Sequence, residues 1–296
     1  MSVFQPLFDL PPVFQEISWP TFHNAGVTVI VLREDLRHPV LGGNKLWKLK
    51  YNFENFAESG ASAMASFGGA YSNHLAALSD ACQRAQIPLH VFIRGEEEPL
   101  NDRIRRMVRQ GTHIHYVSRE QYRSKEHAGF LHQLLIEKGW SDEQIASLYI
   151  IPEGGNNDAG RAGCKAMGEL IPGDAEIVAC ACGTGGTLAG MLHGISKQTI
   201  GLGIQVVRDE KSLMNLMTTE GHSAARYRIL PGYEMGGYGK NSEQLREFMH
   251  QFSTATTIPL EHVYTGKLFF ALDDLARKNY FRRGEKLFVV HTGGLY

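Results

Sequence analysis

The chain has 296 residues, a formal net charge of −1 and 43% hydrophobic residues. This length suits one large domain or two closely associated ones, and the near-neutral charge argues against nucleic acid or an anionic membrane as the main partner. The N-terminus lacks the basic start and apolar run of a secretory signal, and no stretch approaches the roughly 20 apolar residues of a membrane helix. We therefore expect a cytoplasmic protein with no nucleic-acid or membrane partner.

Apolar runs typical of strands alternate with helical patterns along the whole chain. In chain order, the first half predicts strand VTVIVLRED, a helix from about Lys45 to Ser59, strand ASAMASFGG, helix SNHLAALSDACQRAQ, strand LHVFIRG, helix LNDRIRRMVRQG, strand HIHYVS and helix KEHAGFLHQLLIEKG. The second half predicts strand SLYIIPEGG, helix NDAGRAGCKAMGEL, the strand, loop and helix of AEIVACACGTGGTLAGMLHGI, strand IGLGIQVV, helices NSEQLREFMHQF and KLFFALDDLARKNYF, and strand EKLFVVHTGG. This alternation predicts an α/β protein with mostly parallel sheets.

Four of the predicted strands run into glycines, which begin at Gly42, Gly68, Gly183 and Gly293. Ligands collect at the carboxyl ends of parallel strands, so we expect a binding site where these glycines meet. The basic run from Arg103 to Arg106 is interpreted as a solvated helix face.

Four cysteines are too few and too scattered for a disulfide framework. Cys180 and Cys182 alternate across Ala181 and would share one face of a strand. No further ligands stand at a metal-binding spacing, which favours core packing over a metal site.

The segment CGTGGTLAG, from Cys182 to Gly190, has the chemistry of an anion cup. Glycines allow backbone N–H groups to converge, and the following helix N-terminus favours negative charge. The segment lacks a P-loop lysine and departs from the dinucleotide spacing G-x-G-x-x-G. A phosphate cup and a tight strand–helix turn both remain open from these residues alone.

Lys45 directly follows Gly42-Gly43-Asn44. A primary amine beside a phosphate cup suggests a cofactor that carries both an aldehyde and a phosphate, and pyridoxal phosphate is such a molecule. Lysine suits this chemistry because burial and neighbouring charges can favour its neutral amine. An ordinary surface lysine is the alternative.

Six segments, in order along nearly the whole chain, resemble the 1-aminocyclopropane-1-carboxylate deaminase and D-cysteine desulfhydrase family. They are GGNKLWKLKYN, GGAYSNH, CGTGGTLAG, YGKN, VYTGK and HTGG. The resemblance implies pyridoxal-phosphate fold type II, like the β subunit of tryptophan synthase, with two three-layer α/β domains and mostly parallel sheets. It also implies a homodimer. Because Lys45 and Ser72-Asn73 must both face a phosphate loop far later in the chain, we expect a large cofactor-binding domain of residues 1–47 and 151–296, with a small domain of residues 48–150 inserted between its two pieces.

The resemblance also implies roles for individual residues. Lys45 would form the imine with the cofactor and transfer protons, with Ser72 near the substrate and taking part in proton transfer or attack. Tyr238 and Tyr264 would face the substrate. Asn73 would bond the cofactor's ring hydroxyl, and Thr292 would meet its pyridine nitrogen. The phosphate would be held by Gly183, Thr184, Gly185, Gly186 and Thr187.

Two positions depart from the family pattern. Leu46-Trp47 stand where the family usually has Thr-Arg, and Tyr71 stands where it usually has glutamine. We expect Trp47 and Tyr71 to lie near the cofactor and to affect the choice of substrate.

The reaction depends on how strongly the cofactor withdraws electrons. In the deaminase branch, the position matching Thr265 is glutamate and the position matching Thr292 is apolar, whereas here both are threonine. A threonine hydroxyl implies a weaker electron sink, which β-elimination of thiol from a cysteine-like amino acid tolerates better than cyclopropane ring opening. We therefore favour a D-cysteine desulfhydrase type of lyase. The alternatives are the cyclopropane deaminase, a dehydratase or racemase of the same fold, and a non-catalytic binder of the cofactor or an amino acid. The preference for D or L substrate stays open.

Overall fold

The structure is a computed structural model that describes residues 5–95, 101–124, 127, 129–207, 210–237 and 239–295. Its helices are α1 Gln5–Phe8, α2 Pro20–Ala25, α3 Asn44–Ser59, α4 Asn73–Ala85, α5 Asp102–Arg109, α6 Arg119–Arg123, α7 Phe130–Glu137, α8 Asp142–Ala146, α9 Asp158–Gly168, α10 Gly186–Leu192, α11 Glu210–Thr219, α12 Glu243–Thr256 and α13 Thr265–Arg277. Its strands are β1 Phe14–Glu16, β2 Thr28–Leu32, β3 Ala63–Gly69, β4 Leu89–Arg94, β5 His113–Val117, β6 Leu148–Ile151, β7 Ile177–Cys182, β8 Ile200–Gln205, β9 Tyr227–Leu230 and β10 Lys286–Val290. Within this part of the chain, no helix has both the length and the apolarity to cross a membrane.

The chain divides into two compact units. One unit contains Leu49–Ala159 and a short N-terminal piece that ends at Pro6, and the other contains Leu7–Lys48 and Gly160–Tyr296. The expected division into a large cofactor-binding domain of residues 1–47 and 151–296 and a small domain of residues 48–150 stays a prediction.

In the described part of the second unit, six strands form a sheet in the order β1-β2-β10-β7-β8-β9. The pair of β1 and β2 is antiparallel, and the other neighbouring pairs are parallel. Alternate residues of β7 point to opposite faces. Ala179 packs with α12 and α13 on one face, and Cys180 packs with α9 and α10 on the other. This unit is therefore a three-layer α/β arrangement.

Cys180 and Cys182 confirm the prediction of core packing on one strand face. Both lie in the same buried cluster as Cys164, and burial raises the pKa of the Cys164 thiol. A raised pKa keeps a thiol protonated and unreactive.

In the described part of the first unit, four parallel strands form a sheet in the order β5-β4-β3-β6. Phe67, Phe92 and Leu135 belong to the core on one face of this sheet, and α4 contacts β3 and β4. The mostly parallel α/β architecture predicted from the sequence is confirmed in both sheets.

One detail of the glycine pattern was wrong. Gly42 does not follow directly on a strand, because β2 ends at Leu32 and a 3-10 turn, Glu34–Leu36, intervenes. Two buried ion pairs stabilise this turn, and each has a nitrogen–oxygen distance of 2.8 Å: Arg33 with Asp35 and Arg37 with Glu34. The connection is thus an ordered platform that leads to α3.

Candidate active site

The turn before Lys45 is packed too tightly for any side chain at Gly43. The Gly43 backbone has φ +99°, and a Cβ there would lie 2.0 Å from the carbonyl oxygen of Thr292. The Gly43 N–H donates to the Glu34 carbonyl at 2.8 Å. A residue with a Cβ is excluded by both backbone angle and space, so the glycine allows the Lys45 segment to touch the Thr292 segment.

Lys45 lies on the first turn of α3 and has an unusual electrostatic setting. Burial first, and then the nearby positive charge of Lys48, lower the pKa of Lys45 from 10.5 to about 7, against an opposing effect of Cys164. A substantial fraction of the Lys45 amine is therefore neutral at neutral pH. A neutral amine is the form that attacks a carbonyl and accepts a proton.

The second lysine of this segment was not assigned a role from the sequence. Lys48 is 1% exposed, and burial lowers its pKa as well. It stands three residues after Lys45, a spacing that places both on one helix face. This spacing is the feature of the sequence from which an influence of Lys48 on Lys45 could have been predicted.

We expect replacement of Lys48 by methionine to raise the pKa of Lys45. Methionine keeps the length of the side chain but removes the positive charge that disfavours a second one. Competitive acetylation of the cofactor-free protein across pH, read by mass spectrometry at Lys45, gives the midpoint directly. In the unchanged protein the midpoint should lie near pH 7, and in Lys48→Met it should lie higher. Lys50→Met, on the same helix, is the matched control. A midpoint that does not move in Lys48→Met contradicts the electrostatic coupling.

The Gly183–Thr187 loop joins β7 to α10 and contacts the Lys45 segment. The Asn44 amide donates from Nδ2 to the Thr187 hydroxyl at 2.8 Å. Gly185 has φ +81°, and a Cβ there would lie 2.2 Å from Leu213 Cδ1. The loop conformation is thus one that glycine adopts readily and other residues do not. Asn44 is a further residue to which the sequence analysis gave no role.

Tyr264 contacts the same loop from the start of α13. A Cβ at Gly183 would lie 3.3 Å from the Tyr264 ring. The Glu261 carboxylate accepts backbone N–H bonds of 2.7 Å from Val263, Tyr264 and Thr265. Glu261 therefore fixes the backbone that carries Tyr264.

The Thr265 hydroxyl has a role in this cap. It accepts the Glu261 backbone N–H at 2.9 Å and lies 3.3 Å from the Glu261 carboxylate, and Thr265 is fully buried. The hydroxyl thus stabilises the start of α13.

Thr292 is held by its neighbours in the chain. His291 is fully buried, and its Nε2 lies 2.7 Å from the Pro259 carbonyl. Burial lowers the pKa of His291, and the charge of Asp35 acts in the opposite direction. Its Nδ1 lies 3.2 Å from the Asp35 carboxylate and 3.3 Å from the Gly293 backbone nitrogen. These bonds fix the segment that lies against Gly43.

In the first unit, Ser72 and Asn73 stand at the start of α4. The Ser72 hydroxyl accepts the Leu75 N–H at 3.3 Å, which makes Ser72 the N-cap. Arg103 donates to the Asn73 amide oxygen and to the Tyr71 carbonyl. The interpretation of the Arg103–Arg106 run as a solvated face was therefore incomplete: Arg103 makes these bonds, and Arg106 bonds Asp80 at 3.3 Å.

Trp47 is buried in the core of the second unit. It is 4% exposed and packs in the cluster that contains Cys164 and Met167, while its indole N–H donates to Glu34. Trp47, which stands where the family usually has a different residue, therefore joins α3 to the Glu34–Leu36 turn. Tyr71 is 62% exposed.

In the second unit, the residues directly before Lys45 thus contact Thr187 and Thr292, and Gly183 of the same loop as Thr187 contacts Tyr264. Ser72 and Asn73 lie in the first unit. Tyr238 lies outside the described residues.

Comparison with known proteins identifies the family. A model of the pyridoxal-phosphate dependent enzymes matches residues 6–293. The chain belongs to this family. It is therefore a pyridoxal-phosphate dependent enzyme.

Relatives of known name cover nearly the whole chain. A protein of Pyrococcus horikoshii named putative 1-aminocyclopropane-1-carboxylate deaminase is 29% identical over 98% of this chain and 89% of its own. An Arabidopsis thaliana protein named bifunctional D-cysteine desulfhydrase/1-aminocyclopropane-1-carboxylate deaminase, mitochondrial, is 24% identical over 98% of this chain and 77% of its own.

Solved structures confirm the fold of this family member. The crystal structure of an ACC deaminase homologue has a TM-score of 0.79 and 27% identity, with 99% of this chain and 94% of that chain covered. A hydrogen sulfide-producing enzyme from Fusobacterium nucleatum has a TM-score of 0.67 and 16% identity, with 99% and 97% covered. The second likeness bears on the fold alone.

Proposed function

We propose that this protein is a lyase that eliminates thiol from a cysteine-like amino acid. With D-cysteine, the balanced reaction consumes one water and yields pyruvate, ammonia and hydrogen sulfide. The observation that carries the proposal is the neutral, hydroxyl-bearing Thr292 packed against the Lys45 turn. The names of relatives support both this activity and deamination of 1-aminocyclopropane-1-carboxylate.

The residues of the second unit fit pyridoxal phosphate. Lys45 supplies an amine with a pKa of about 7, and Gly183 and Gly185 leave room where a Cβ would meet Tyr264 and Leu213. Backbone amides of Gly183–Thr187, with the hydroxyls of Thr184 and Thr187, would hold the phosphate. When bound, the cofactor withdraws electrons from the α-carbon of the amino acid.

Each remaining step of the proposed elimination uses a residue of this chain. The neutral Lys45 amine accepts the α-proton, which a lysine with an ordinary pKa would seldom do at neutral pH. Tyr264, Tyr238 or Ser72 donates a proton to the departing sulfur or returns one to the product. Thr292 would bond the ring nitrogen through its hydroxyl, and Asn73 would bond the ring hydroxyl.

Thr292 and Thr265 favour thiol elimination over ring opening. A hydroxyl group cannot supply the full negative charge that would keep the ring nitrogen protonated, so carbanion formation is stabilised less. The Thr265 hydroxyl is in addition bonded within the α13 cap. Each 1.36 kcal/mol of lost stabilisation slows a step about tenfold. Thiolate is a good leaving group and suffers least from this loss.

We expect turnover of D-cysteine to exceed turnover of 1-aminocyclopropane-1-carboxylate in one enzyme preparation. The measurement is pyruvate and sulfide from D- and L-cysteine, and 2-oxobutyrate from the cyclopropane acid. Faster ring opening would mean that the electronic argument is wrong and would favour the deaminase. A yellow protein inactive on both substrates would favour a dehydratase, a racemase or a non-catalytic binder. Incubation with D- and L-serine separates these three, because a dehydratase forms pyruvate, a racemase interconverts the enantiomers and a binder does neither.

Arg103 should matter if Asn73 binds the cofactor. Because Arg103 donates to the amide oxygen of Asn73, Nδ2 would be the group of this amide that bonds a ring hydroxyl. Arg103→Met removes a charge-assisted bond and should weaken cofactor binding by about tenfold, measured by spectroscopic titration. Arg105→Met, which breaks an exposed ion pair with Asp102 on the same helix, is the control. Equal affinities for the two variants would contradict the role of Arg103.

A further inference from the structure

A lysine outside the proposed chemistry is completely buried in the second unit. Lys267 has no exposed surface. Its ammonium donates to the carbonyl oxygens of Glu234 at 2.8 Å, Gly237 at 2.9 Å and Val206 at 3.3 Å. An ammonium group has three N–H donors, so this carbonyl cage matches its full donor capacity.

The position of Lys267 in its helix makes this arrangement costly without a compensating role. It is the third residue of α13, and the N-terminal end of a helix disfavours positive charge. Burial also lowers the pKa of Lys267, while the carboxylates of Glu261 and Glu234 act in the opposite direction. The three carbonyl oxygens stabilise the charge where solvent does not reach it.

The three carbonyls belong to segments that must be held together. Val206 follows β8, and its N–H donates to the carbonyl of Cys182 at 3.0 Å, directly before Gly183. The other two carbonyls come from a tight loop in which Met235, Gly236 and Gly237 all have positive φ. Repulsion among converging carbonyl dipoles would open such a loop if no cation lay between them.

We propose that Lys267 is a tethered cation and a positioning residue, whose ammonium fills a carbonyl site of the kind that binds a monovalent cation. It joins the Glu234–Gly237 loop to the end of β8, and it does so three residues after Tyr264. The Gly183 loop and the Tyr264 backbone are thereby held in register. This role goes beyond the proposed lyase activity and does not depend on which amino acid the enzyme uses.

The test removes the tether and offers a free cation in its place. Lys267→Ala leaves the three carbonyls and a space, whereas Lys267→Met fills the space with an uncharged chain of similar length. Lys278→Ala, at the exposed end of the same helix where Lys278 pairs with Asp274, is the matched control. Each protein is compared in tetramethylammonium chloride, potassium chloride and ammonium chloride at equal ionic strength.

In tetramethylammonium, Lys267→Ala should melt several degrees lower, about 4 °C or more, than the unchanged protein without cofactor. Its pyridoxal phosphate affinity should fall by about tenfold, as expected for the loss of bonds to a charged group. Potassium or ammonium should restore both quantities in a saturable manner, because a ligand of the folded state stabilises it by mass action. Lys267→Met should show the losses without the recovery.

Two results would overturn the proposal. If Lys267→Ala keeps the unchanged protein's melting temperature and cofactor affinity in tetramethylammonium, Lys267 positions nothing. If both fall but potassium and ammonium restore no more than tetramethylammonium does, Lys267 is a packing residue and the carbonyls form no cation site. If Lys267→Ala does not fold in tetramethylammonium chloride, it is refolded from urea in potassium chloride. Recovery of the fold in potassium then supports the cation site, and failure to recover it contradicts the site. These readouts use no substrate, so they stand apart from any failure of the lyase proposal.

Discussion

Turnover in Lys45→Ala is expected to fall by at least about a thousandfold, since both nucleophilic attachment and proton transfer are lost. The fold should survive, and the cofactor-free variant should be at least as stable as the unchanged protein. Burial lowers the pKa of Lys45 to about 7, which means that the folded state disfavours the charged lysine. Below pH 7 the unchanged protein bears that cost in full, and the cost decreases as pH rises from about 7 towards 10.5. The stability gain of the alanine variant should therefore be largest in acid.

Borohydride reduction and peptide mapping identify the attachment residue. In the unchanged enzyme the reduced cofactor should be found on Lys45, and in Lys45→Ala no lysine should carry it. Lys50→Ala, on the same helix, should retain both labelling and turnover. Label on Lys48, or full turnover in Lys45→Ala, would show that the assignment of Lys45 is wrong.

The sequence predicted the long elements of the fold well, because their periodicity reports burial on one face. The apolar run IVACAC forms the buried strand β7, and the helix expected from about Lys45 to Ser59 begins one residue earlier, at Asn44. The short edge strands β1 and β9 and the helix α11 were not predicted. Strands of three or four residues, such as Phe14–Glu16 and Tyr227–Leu230, depend on a neighbouring strand that local sequence does not specify.

The site was predictable where a short motif carries its own chemistry. Lys45 and the Gly183–Thr187 loop are of this kind, because glycine spacing and a reactive side chain are local. The roles of Glu261 and Lys267 were not foreseen, since each depends on backbone groups brought together by folding. The buried position of Trp47 has the same origin: its partner Glu34 stands thirteen positions earlier and lies in a turn that periodicity does not reveal.

In Gly185→Val, cofactor affinity is expected to fall by well over tenfold, because two independent obstacles coincide at this residue. The backbone has φ +81°, where a β-branched residue is strained by about 1–3 kcal/mol. A Cβ would also lie 2.2 Å from Leu213 Cδ1, and Leu213 is fully buried. The loop must shift to relieve both, and we expect its amides then to bind a phosphate less well.

Two controls separate backbone strain from lost space in this experiment. Gly284→Val introduces the same residue in the same unit at φ +88° with no atom within 4 Å of its Cβ, so it should lower stability while leaving cofactor affinity unchanged. The double variant Gly185→Ala with Leu213→Ala removes the contact but keeps the backbone strain, and it should bind the cofactor better than Gly185→Ala alone yet worse than the unchanged protein. Pyridoxal phosphate dissociation constants from spectroscopic titration give all four comparisons. Unchanged affinity in Gly185→Val would mean that the phosphate is held elsewhere, because valine cannot occupy position 185 beside Leu213 without moving the loop.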